Sequence, residues 1–158
     1  MPTEIERKFL IDTSHTEVVK LLQQAPTHIQ QGYLSDDLAA TVRVRIMGDQ
    51  AFLTVKGPTI GIARAEYEYG IPVDDAERMI SEMCDNVLRK KRYYHRLEGG
   101  LTVEIDVFPD LDLVVAEVEL PDADSQFTWP EWFIAEVSDD PRYFNSELAK
   151  NGSAGLTL

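Results

Sequence analysis

Charged residues recur two positions apart along most of this chain, with apolar residues between them. The pattern starts with Glu4, Glu6 and Lys8, and it returns with Arg43 and Arg45 among valines. Successive side chains of an extended strand point to opposite faces, so residues two positions apart share a face. We therefore predict strands that each have one charged face and one apolar face. Further members of the charged faces are Lys56, Arg64, Glu66, Glu68, Lys90, Arg92, Glu104, Asp106, Glu117 and Glu119.

The alternating segments predict about eight strands, so strands dominate the fold. Their connections are short and rich in turn residues, as at 47–50, 97–100 and 109–112, which favours antiparallel neighbours. The predicted strands cover 3–11, 28–35, 40–47, 50–57, 63–71, 87–96, 101–108 and 112–120.

Helical periodicity is confined to three segments. We expect Ser14 to cap the first of them, and Asp139 or Asp140 to cap the last. The last helix then has Pro141 as its first residue and stops at Gly152. The predicted helices cover 14–24, 73–84 and about 140–151.

The grouping of like charges favours a closed barrel over an open sheet. An open antiparallel sheet with one solvated face is the simpler alternative, because water and cross-strand ion pairs then screen the charges. Two carboxylates about 7 Å apart along a strand repel each other by about 2 kcal/mol at an effective dielectric constant of about 20. We expect another interaction in the folded protein to offset this repulsion. We therefore predict an α+β fold: an eight-stranded antiparallel β-barrel with a polar, charged interior and helices packed outside.

The predicted interior is nearly neutral, because its charged faces contain eight acidic and seven basic residues. Arg and Lys bind phosphate oxygens directly. Carboxylates without a matching set of Cys and His favour Mg²⁺ or Mn²⁺ over Zn²⁺ as ligands. The interior is therefore suited to a small polyanion held together with divalent metal.

Composition argues against several other classes of protein. The 158 residues fit one domain, 1–158, and their 15 basic and 28 acidic residues give a net charge of −13. This charge disfavours binding to nucleic acid or to an anionic membrane. We find neither an apolar run of membrane-spanning length nor a signal segment, and we expect a cytoplasmic protein. Cys84 is the only cysteine, which excludes an intrachain disulfide, and we expect it to pack in the core.

The segment EIERKF at 4–9 resembles the ExExK signature of the CYTH superfamily, the triphosphate tunnel metalloenzymes. The resemblance continues in order over nearly the whole chain, which makes it far more specific than the signature alone. Its further segments are QGYL (31–34), VRVR (42–45), TVKG (54–57), RAEYEY (64–69), KKRY (90–93), VEIDVF (103–108), VAEVEL (115–120) and EVSDDPRYFNSELA (136–149).

This resemblance implies an antiparallel tunnel that binds a linear triphosphate and hydrolyses it with a divalent metal, Mg²⁺ or Mn²⁺. It also implies roles for individual residues. The metal ligands are Glu4, Glu6, Glu117 and Glu119, with Asp106 as a further one; the phosphate-binding residues are Lys8, Arg43, Arg45, Lys56, Arg64, Lys90 and Arg92; the supporting acids are Glu66, Glu68 and Glu104.

The activation of the attacking water is a separate question. In some family members a lysine and a tyrosine are proposed to perform it, and the matching residues here are Lys8 and Tyr33. A lysine among other cations has a lowered pKa and can act as a base, and this is the catalytic role expected of Lys8. In the alternative, Lys8 binds phosphate, Tyr33 packs, and metal-bound water attacks without a base.

Hydrolysis of inorganic triphosphate to pyrophosphate and phosphate is the leading function, since the short chain leaves little sequence for a nucleobase or thiazole pocket. The alternatives within the superfamily are a class IV adenylyl cyclase, a thiamine triphosphatase and a nucleoside triphosphatase. From other classes, a non-catalytic polyphosphate sensor and an open charged sheet that binds a protein partner stay open. The expected partner is a small-molecule triphosphate, and the oligomeric state is undecided, with a homodimer among the alternatives.

Other residues are assigned structural roles. His15, His28 and His95 share no spacing, so we expect them at the surface or in packing rather than at a metal. Trp129 and Trp132 are expected to fasten the final segment to the barrel. The C-terminal helix either packs against the barrel or covers one tunnel mouth as a lid.

Overall fold

The computed structural model describes residues 3–153 and residue 156, which form nine strands, three α-helices and one short 3₁₀ helix. The strands are β1 (Thr3–Ile11), β2 (Thr27–Ser35), β3 (Thr41–Met47), β4 (Gln50–Lys56), β5 (Ala63–Ile71), β6 (Val87–Arg96), β7 (Thr102–Phe108), β8 (Leu113–Glu119) and β9 (Phe133–Glu136). The helices are α1 (Thr16–Leu21), α2 (Val73–Met83), the 3₁₀ helix Pro141–Tyr143 and α3 (Asn145–Asn151).

Eight of the strands close into a barrel in which all neighbours are antiparallel, which confirms the predicted fold. The order around the barrel is β1, β5, β4, β3, β2, β6, β7 and β8, and β8 pairs again with β1. Tight turns join several consecutive strands, and Gly48 supplies the positive φ of +61° that the β3–β4 hairpin requires. In the part of the chain that the structure describes, no helix is long and apolar enough to cross a membrane.

β1 is shared among three neighbouring strands. On one edge it pairs with β8 from Glu6 to Leu10. On the other edge it pairs with β5 only from Thr3 to Ile5, and with β9 from Phe9 to Ile11. The seam between β1 and β5 therefore consists of three residue pairs. β9 lies outside the barrel, and the alternation pattern does not predict it because its four residues are too few to show a period.

The apolar outer face of β6, β7, β8 and β1 is covered by α1 and by the segment that precedes β9. Phe9 and Trp132 are almost completely buried in this layer. Trp132 Nε1 donates to Glu17 Oε2 of α1 at 3.3 Å, and the Trp129 ring packs edge-on against Phe9 with centroids 4.9 Å apart. Both tryptophans thus fasten the final segment to the barrel, as predicted.

α2 covers the outer face of β3 and β4 with Ala76 and Ile80. Cys84 follows α2 and is half-buried against Gly32 of β2. A Cβ on residue 32 would lie 2.8 Å from Cys84 Sγ, so this close approach requires glycine. Cys84 therefore packs against β2, but it is only half-buried and is not the core residue that was predicted.

The first helix is shorter than predicted and has a different cap. α1 covers six residues rather than 14–24. His15 is its N-cap, because His15 Nδ1 accepts a hydrogen bond from the Glu17 amide at 3.2 Å. Ser14 Oγ instead donates to Asp12 Oδ1 at 2.6 Å. The predicted capping role of Ser14 is therefore wrong, because a local bond to Asp12 competes with it.

The predicted C-terminal helix is divided into two pieces. Asp140 caps the 3₁₀ helix with a bond from the Arg142 amide. Phe144 then has an extended backbone, with φ −65° and ψ 138°, and α3 begins after it. Gly152 ends α3 with φ +61°, as predicted.

The inner face of the barrel changes from charged to apolar towards one end. Tyr143 and Leu148 of the C-terminal segment fill this end and pack against its apolar residues. We call residues 140–151 the C-terminal plug, because they close one end of the barrel. The apolar inner residues that contact the plug cluster are Leu10, Leu88, Phe108, Leu113 and Val115.

Candidate active site

The charged inner faces of the strands surround a cavity of about 210 Å³. Every predicted site residue except Asp106 lines this cavity, and Asp106 lies behind its wall with 1 % of its surface exposed. The alternation in the sequence therefore predicts the convergence of these side chains correctly, while their chemical roles stay predictions. The cavity also contains residues that the sequence analysis missed, among them Thr41, Ser138, Asn145 and Ser146.

Asp106 is the centre of a neutralised cluster on β6 and β7. Arg92 donates to both of its oxygens, from Nε to Oδ1 at 2.8 Å and from Nη2 to Oδ2 at 2.9 Å. Lys90 Nζ lies 2.8 Å from Oδ2, and Arg92 Nη1 lies 2.7 Å from Glu104 Oε2. Burial raises the pKa of Asp106, but the two cations outweigh burial and lower it below its usual value. Both Asp106 oxygens are engaged by cations, which favours an orienting role over the metal ligation expected of it.

Lys90 connects this cluster to the C-terminal plug. Its Nζ donates to Asn145 Oδ1 at 2.9 Å. Burial lowers the pKa of Lys90 to about 7, with Asp106 opposing the shift and Arg92 and Arg45 adding to it. Lys90, and not Lys8, is therefore the lysine whose pKa neighbouring cations help to lower.

Glu6 on β1 and Glu119 on β8 contrast with Asp106, because burial and other carboxylates raise their pKa values. The strand register places the two carboxylates directly across from each other, where like charges destabilise a sheet. Within the described residues, neither forms an ion pair with a basic side chain. Burial, followed by Glu117 and Glu4, raises the pKa of Glu6 well above its usual value, and burial with Glu4 and Glu66 raises that of Glu119. In this part of the cavity the charged forms of the two carboxyl groups are therefore disfavoured, and Glu6 shares a hydrogen bond with Glu117.

Glu4 and Glu117 each form one ion pair within the described part of the chain. Lys56 Nζ lies 2.7 Å from Glu4 Oε2, and Lys8 Nζ lies 3.4 Å from Glu117 Oε1. Burial raises the pKa of both acids, but the cations outweigh it, so that the pKa of Glu4 is lowered and that of Glu117 lies well below its usual value. Lys56 is also 3.3 Å from Glu66 Oε2. Both acids stay ionised, and a metal ion would share them with a lysine.

Three cations of the cavity have a long ion pair or none within the described residues: Arg43, Arg45 and Arg64. Arg43 lies 3.7 Å from Glu68, and its Nε is buried without a hydrogen-bond partner in the described part of the chain. Arg45 Nε donates to the amide oxygen of Gln31 at 3.0 Å, and burial with the neighbouring guanidinium groups lowers the pKa of Arg45 to about 10. Arg64 donates to a backbone carbonyl and to a threonine hydroxyl. An anion in the cavity would supply the acceptors that these side chains lack.

Lys8 and Tyr33 both line the cavity, but their surroundings differ from those predicted. Burial lowers the pKa of Lys8, yet the nearby carboxylates, first Glu117, outweigh burial and raise it. The expectation of a lowered Lys8 pKa is therefore wrong, because Lys8 lies among carboxylates rather than cations. Lys8 Nζ donates to the Tyr143 carbonyl at 2.9 Å, whereas the Tyr33 hydroxyl accepts from Gln31 Nε2 at 2.8 Å. Among the described residues, no hydrogen bond joins Lys8 to Tyr33.

Neutral polar side chains link the charges, and a search for charged residues misses them. Gln31 is fully buried and bonds both Arg45 and Tyr33. Thr54 accepts from Arg43 Nη2 at 3.2 Å and donates to Glu68 Oε2 at 3.1 Å. Gln31 and Thr54 occupy inward positions of their strands, so the two-residue period was the signal that could have found them.

The acidic side of the cavity fits a divalent cation that retains water. Among residues 3–153 and 156, no group of three or more His, Cys, Asp or Glu side chains is arranged to hold a metal ion by itself. Mg²⁺ commonly keeps several waters and binds through one or two carboxylates together with substrate phosphates. Glu6 and Glu119, which form no ion pair in the part of the chain that the structure describes, match this mode of binding.

Comparison with known proteins agrees with this geometry. The CYTH domain family matches residues 2–147. The inorganic triphosphatase of Acetivibrio thermocellus is 43% identical over 154 residues, which cover 96% of each chain. The inorganic triphosphatase of Nitrosomonas europaea is 37% identical over 152 residues, which cover 93% of this chain and 97% of that protein. The crystal structure of an inorganic triphosphatase, 34% identical, superimposes with a TM-score of 0.64 and covers 94% of this chain and 95% of its own.

Proposed function

The chain belongs to the CYTH domain family, and from this premise we propose that it hydrolyses inorganic triphosphate to pyrophosphate and phosphate in the barrel cavity. Two relatives that are inorganic triphosphatases match it over nearly their whole length. The observation that carries the proposal is a pair of complementary deficits in one cavity. Among residues 3–153 and 156, Arg43 has only a 3.7 Å contact with Glu68 and Arg45 forms no ion pair. Within the same residues, Glu6 and Glu119 form no ion pair with a basic side chain.

A triphosphate with a divalent cation supplies both missing partners at once. Its oxygens can accept from the arginines, whose forked donors match phosphate geometry. We propose that Mg²⁺ or Mn²⁺ is held by Glu6 and Glu119 with Glu4 and Glu117, and that Asp106 orients Lys90 and Arg92 instead of binding metal. When bound, such an ion neutralises phosphate oxygens and makes water a better nucleophile at neutral pH.

The residues of this chain contribute mainly positioning and charge stabilisation. Phosphoryl transfer requires an aligned phosphate chain and cations at the oxygens where negative charge develops. We propose that Arg43, Arg45, Lys56, Arg64, Lys90 and Arg92 hold the phosphates. Lys8, whose raised pKa keeps it protonated, then acts as a cation towards phosphate rather than as a base. Tyr33 stays the candidate for orienting the attacking water.

The size of the cavity favours an inorganic substrate over a nucleotide. Pockets that enclose drug-sized ligands usually measure roughly 300–1,000 Å³. This cavity, at about 210 Å³, does not enclose a nucleoside or a thiazole in addition to three phosphates.

The test is phosphate release from tripolyphosphate, ATP and thiamine triphosphate, each with Mg²⁺ or Mn²⁺, alongside an assay for cyclic AMP from ATP. We expect tripolyphosphate to be preferred, and turnover to stop when the divalent metal is chelated. Cyclic AMP production would reassign the cavity to a cyclase. Binding of tripolyphosphate without any turnover would instead indicate a sensor.

Two variants assign the activity to the cavity. Arg43→Gln should raise KM for tripolyphosphate by about tenfold or more, because it removes a charged hydrogen-bond donor. Arg89→Gln is the matched control, since Arg89 forms an exposed ion pair with Asp110 outside the cavity. Equal kinetics of the two variants would contradict the proposed site.

A further inference from the structure

The C-terminal plug presents an amide donor to the closed end of the cavity. Asn145 lines the cavity, and its Oδ1 accepts from Lys90 Nζ at 2.9 Å and lies 3.5 Å from Gln31 Nε2. An ammonium group can only donate, so the Asn145 atom that faces Lys90 is the oxygen. Asn145 Nδ2 therefore points away from Lys90, and it has no hydrogen-bond partner among the described residues.

Ser146 presents a second donor at the same end. It also lines the cavity and is 6 % exposed. In the part of the chain that the structure describes, its hydroxyl forms no hydrogen bond with protein. Two neighbouring polar side chains thus offer hydrogen atoms to the cavity, and neither donor group is engaged by another described residue.

The barrel behind these donors is filled with apolar side chains. Tyr143 and Leu148 pack against Phe108 and the other apolar inner residues. A phosphate group cannot enter such a cluster without losing its hydrogen bonds. The cavity is therefore blind at the plug, whereas Glu119 is exposed at the opposite end.

We propose that the plug recognises the end of the substrate: Asn145 and Ser146 donate to an unsubstituted terminal phosphoryl group at the blind end of the cavity. This inference rests on the proposed function, since it takes a linear triphosphate as the ligand. Inorganic triphosphate has a free group at each end and fits in either direction. A triphosphate that is substituted at both ends does not fit.

Asn145→Asp tests the donor role separately from the structural role. Aspartate keeps an oxygen for Lys90 but replaces the NH₂ group with an acceptor. We expect the Kd for tripolyphosphate with Mg²⁺, measured by titration calorimetry, to rise at least about tenfold, with the Tm unchanged. A Kd equal to that of the wild type would overturn the proposal.

Two further variants control for charge and for folding. Asn151→Asp makes the same substitution at an exposed position of α3, where Nδ2 donates to Glu147, and it should leave the Kd unchanged. Ser146→Ala is neutral and should raise the Kd about threefold or more without lowering the Tm. A Kd that rises as much in Asn151→Asp as in Asn145→Asp would overturn the proposal.

The ligand can be varied as well as the protein. Diadenosine triphosphate contains three phosphates and no free terminal phosphoryl group, so it should bind at least about tenfold more weakly than tripolyphosphate. Equal binding of the two would overturn end recognition. Tripolyphosphate binding without hydrolysis would overturn the proposed function alone, because the Kd comparisons still decide the role of the plug. Hydrolysis with an unchanged Kd in Asn145→Asp would overturn the role of the plug alone.

Discussion

Two charged clusters in the same barrel are organised in opposite ways. On β6 and β7, Asp106 is held by Lys90 and Arg92 at 2.8 to 2.9 Å. On β1 and β8, Glu6 and Glu119 face each other and form no ion pair with a basic side chain of the described residues. The pKa of Asp106 is lowered and that of Glu6 is raised.

From this difference we infer that the first cluster stabilises the fold and that the second binds a ligand. A buried carboxylate with two cations stabilises its neighbours, and removal of Asp106 leaves Lys90 without its acidic partner and Arg92 with Glu104 alone. Two carboxylates without a cation instead raise the free energy of the folded state, and an ion from outside relieves this cost. We therefore expect the first cluster to control stability and the second to control metal-dependent activity.

Asp106→Asn should give the largest effect of these variants, a loss of stability. The variant leaves Lys90 buried without its ionised partner and Arg92 with Glu104 alone. Removal of one partner from such a cluster costs about 3–5 kcal/mol of unfolding free energy. Urea denaturation without divalent metal measures the change. Asp110→Asn, in the exposed pair with Arg89, is the control and should change stability by about 1 kcal/mol or less. Similar losses in both variants would break the comparison.

Glu6→Gln should act on activity and not on stability. We expect kcat for tripolyphosphate to fall by about a hundredfold or more, because a candidate metal ligand and its charge are lost. Without metal, the Tm should stay the same or rise, since repulsion from Glu117 and Glu4 is removed. Thermal melts with and without Mg²⁺ give the second readout, and the stabilisation by Mg²⁺ should shrink in the variant. A metal-free Tm that falls sharply would contradict the assignment.

The two clusters should also respond to pH in opposite directions. Because the pKa of Glu6 is raised in the folded state, its contribution to stability decreases as the pH rises from about 4.5 towards the folded-state pKa. The contribution of Asp106 is present above its ordinary value of 3.8 and is lost as the pH falls through the lowered folded-state pKa. Denaturation curves between pH 3 and pH 8 should therefore show the stability of Glu6→Gln relative to wild type increasing with pH. A constant difference would contradict the raised pKa.

Thr54→Val should have the smallest effect of these changes. The substitution keeps the shape of the side chain but removes the bond from Arg43 and the bond to Glu68. A net loss of about 0.5–1.5 kcal/mol in unfolding free energy is expected from such hydrogen bonds. KM for tripolyphosphate should rise a few fold, because Arg43 is less well oriented. An unchanged KM would indicate that Thr54 does not position Arg43.

The sequence predicts the barrel well because the two-residue period depends on the backbone geometry of strands. Arg43 and Arg45 share a face in any extended strand, whatever the rest of the fold. The same period does not determine which charges meet across strands, since that depends on register. The pairing of Glu6 with Glu119 is of this kind, and so is the engagement of Asp106 by two cations.

The remaining errors come from contacts that are distant in the chain. The pKa of Lys8 depends on Glu117, which is 109 positions away in the sequence and adjacent in the barrel. Asn145 reaches the cavity because the C-terminal helix is broken at Phe144, and no periodic pattern marks that break. Neutral residues such as Gln31 were missed because a strand pattern alone does not distinguish a linking amide from a filler.

The sharing of β1 among three neighbours also determines when the protein can assemble during synthesis. β1 is made first, but β5 offers it only three residue pairs, while β8 and β9 end at residues 119 and 136. At about 5–20 residues per second, the ribosome needs on the order of ten seconds to produce the intervening chain. Until then the first strand, with Glu4, Glu6 and Lys8, lacks most of its pairing partners in the sheet. The growing polypeptide therefore completes its barrel only after β8 has been made, and a chain that stops before β8 contains the ExExK segment without a cavity around it.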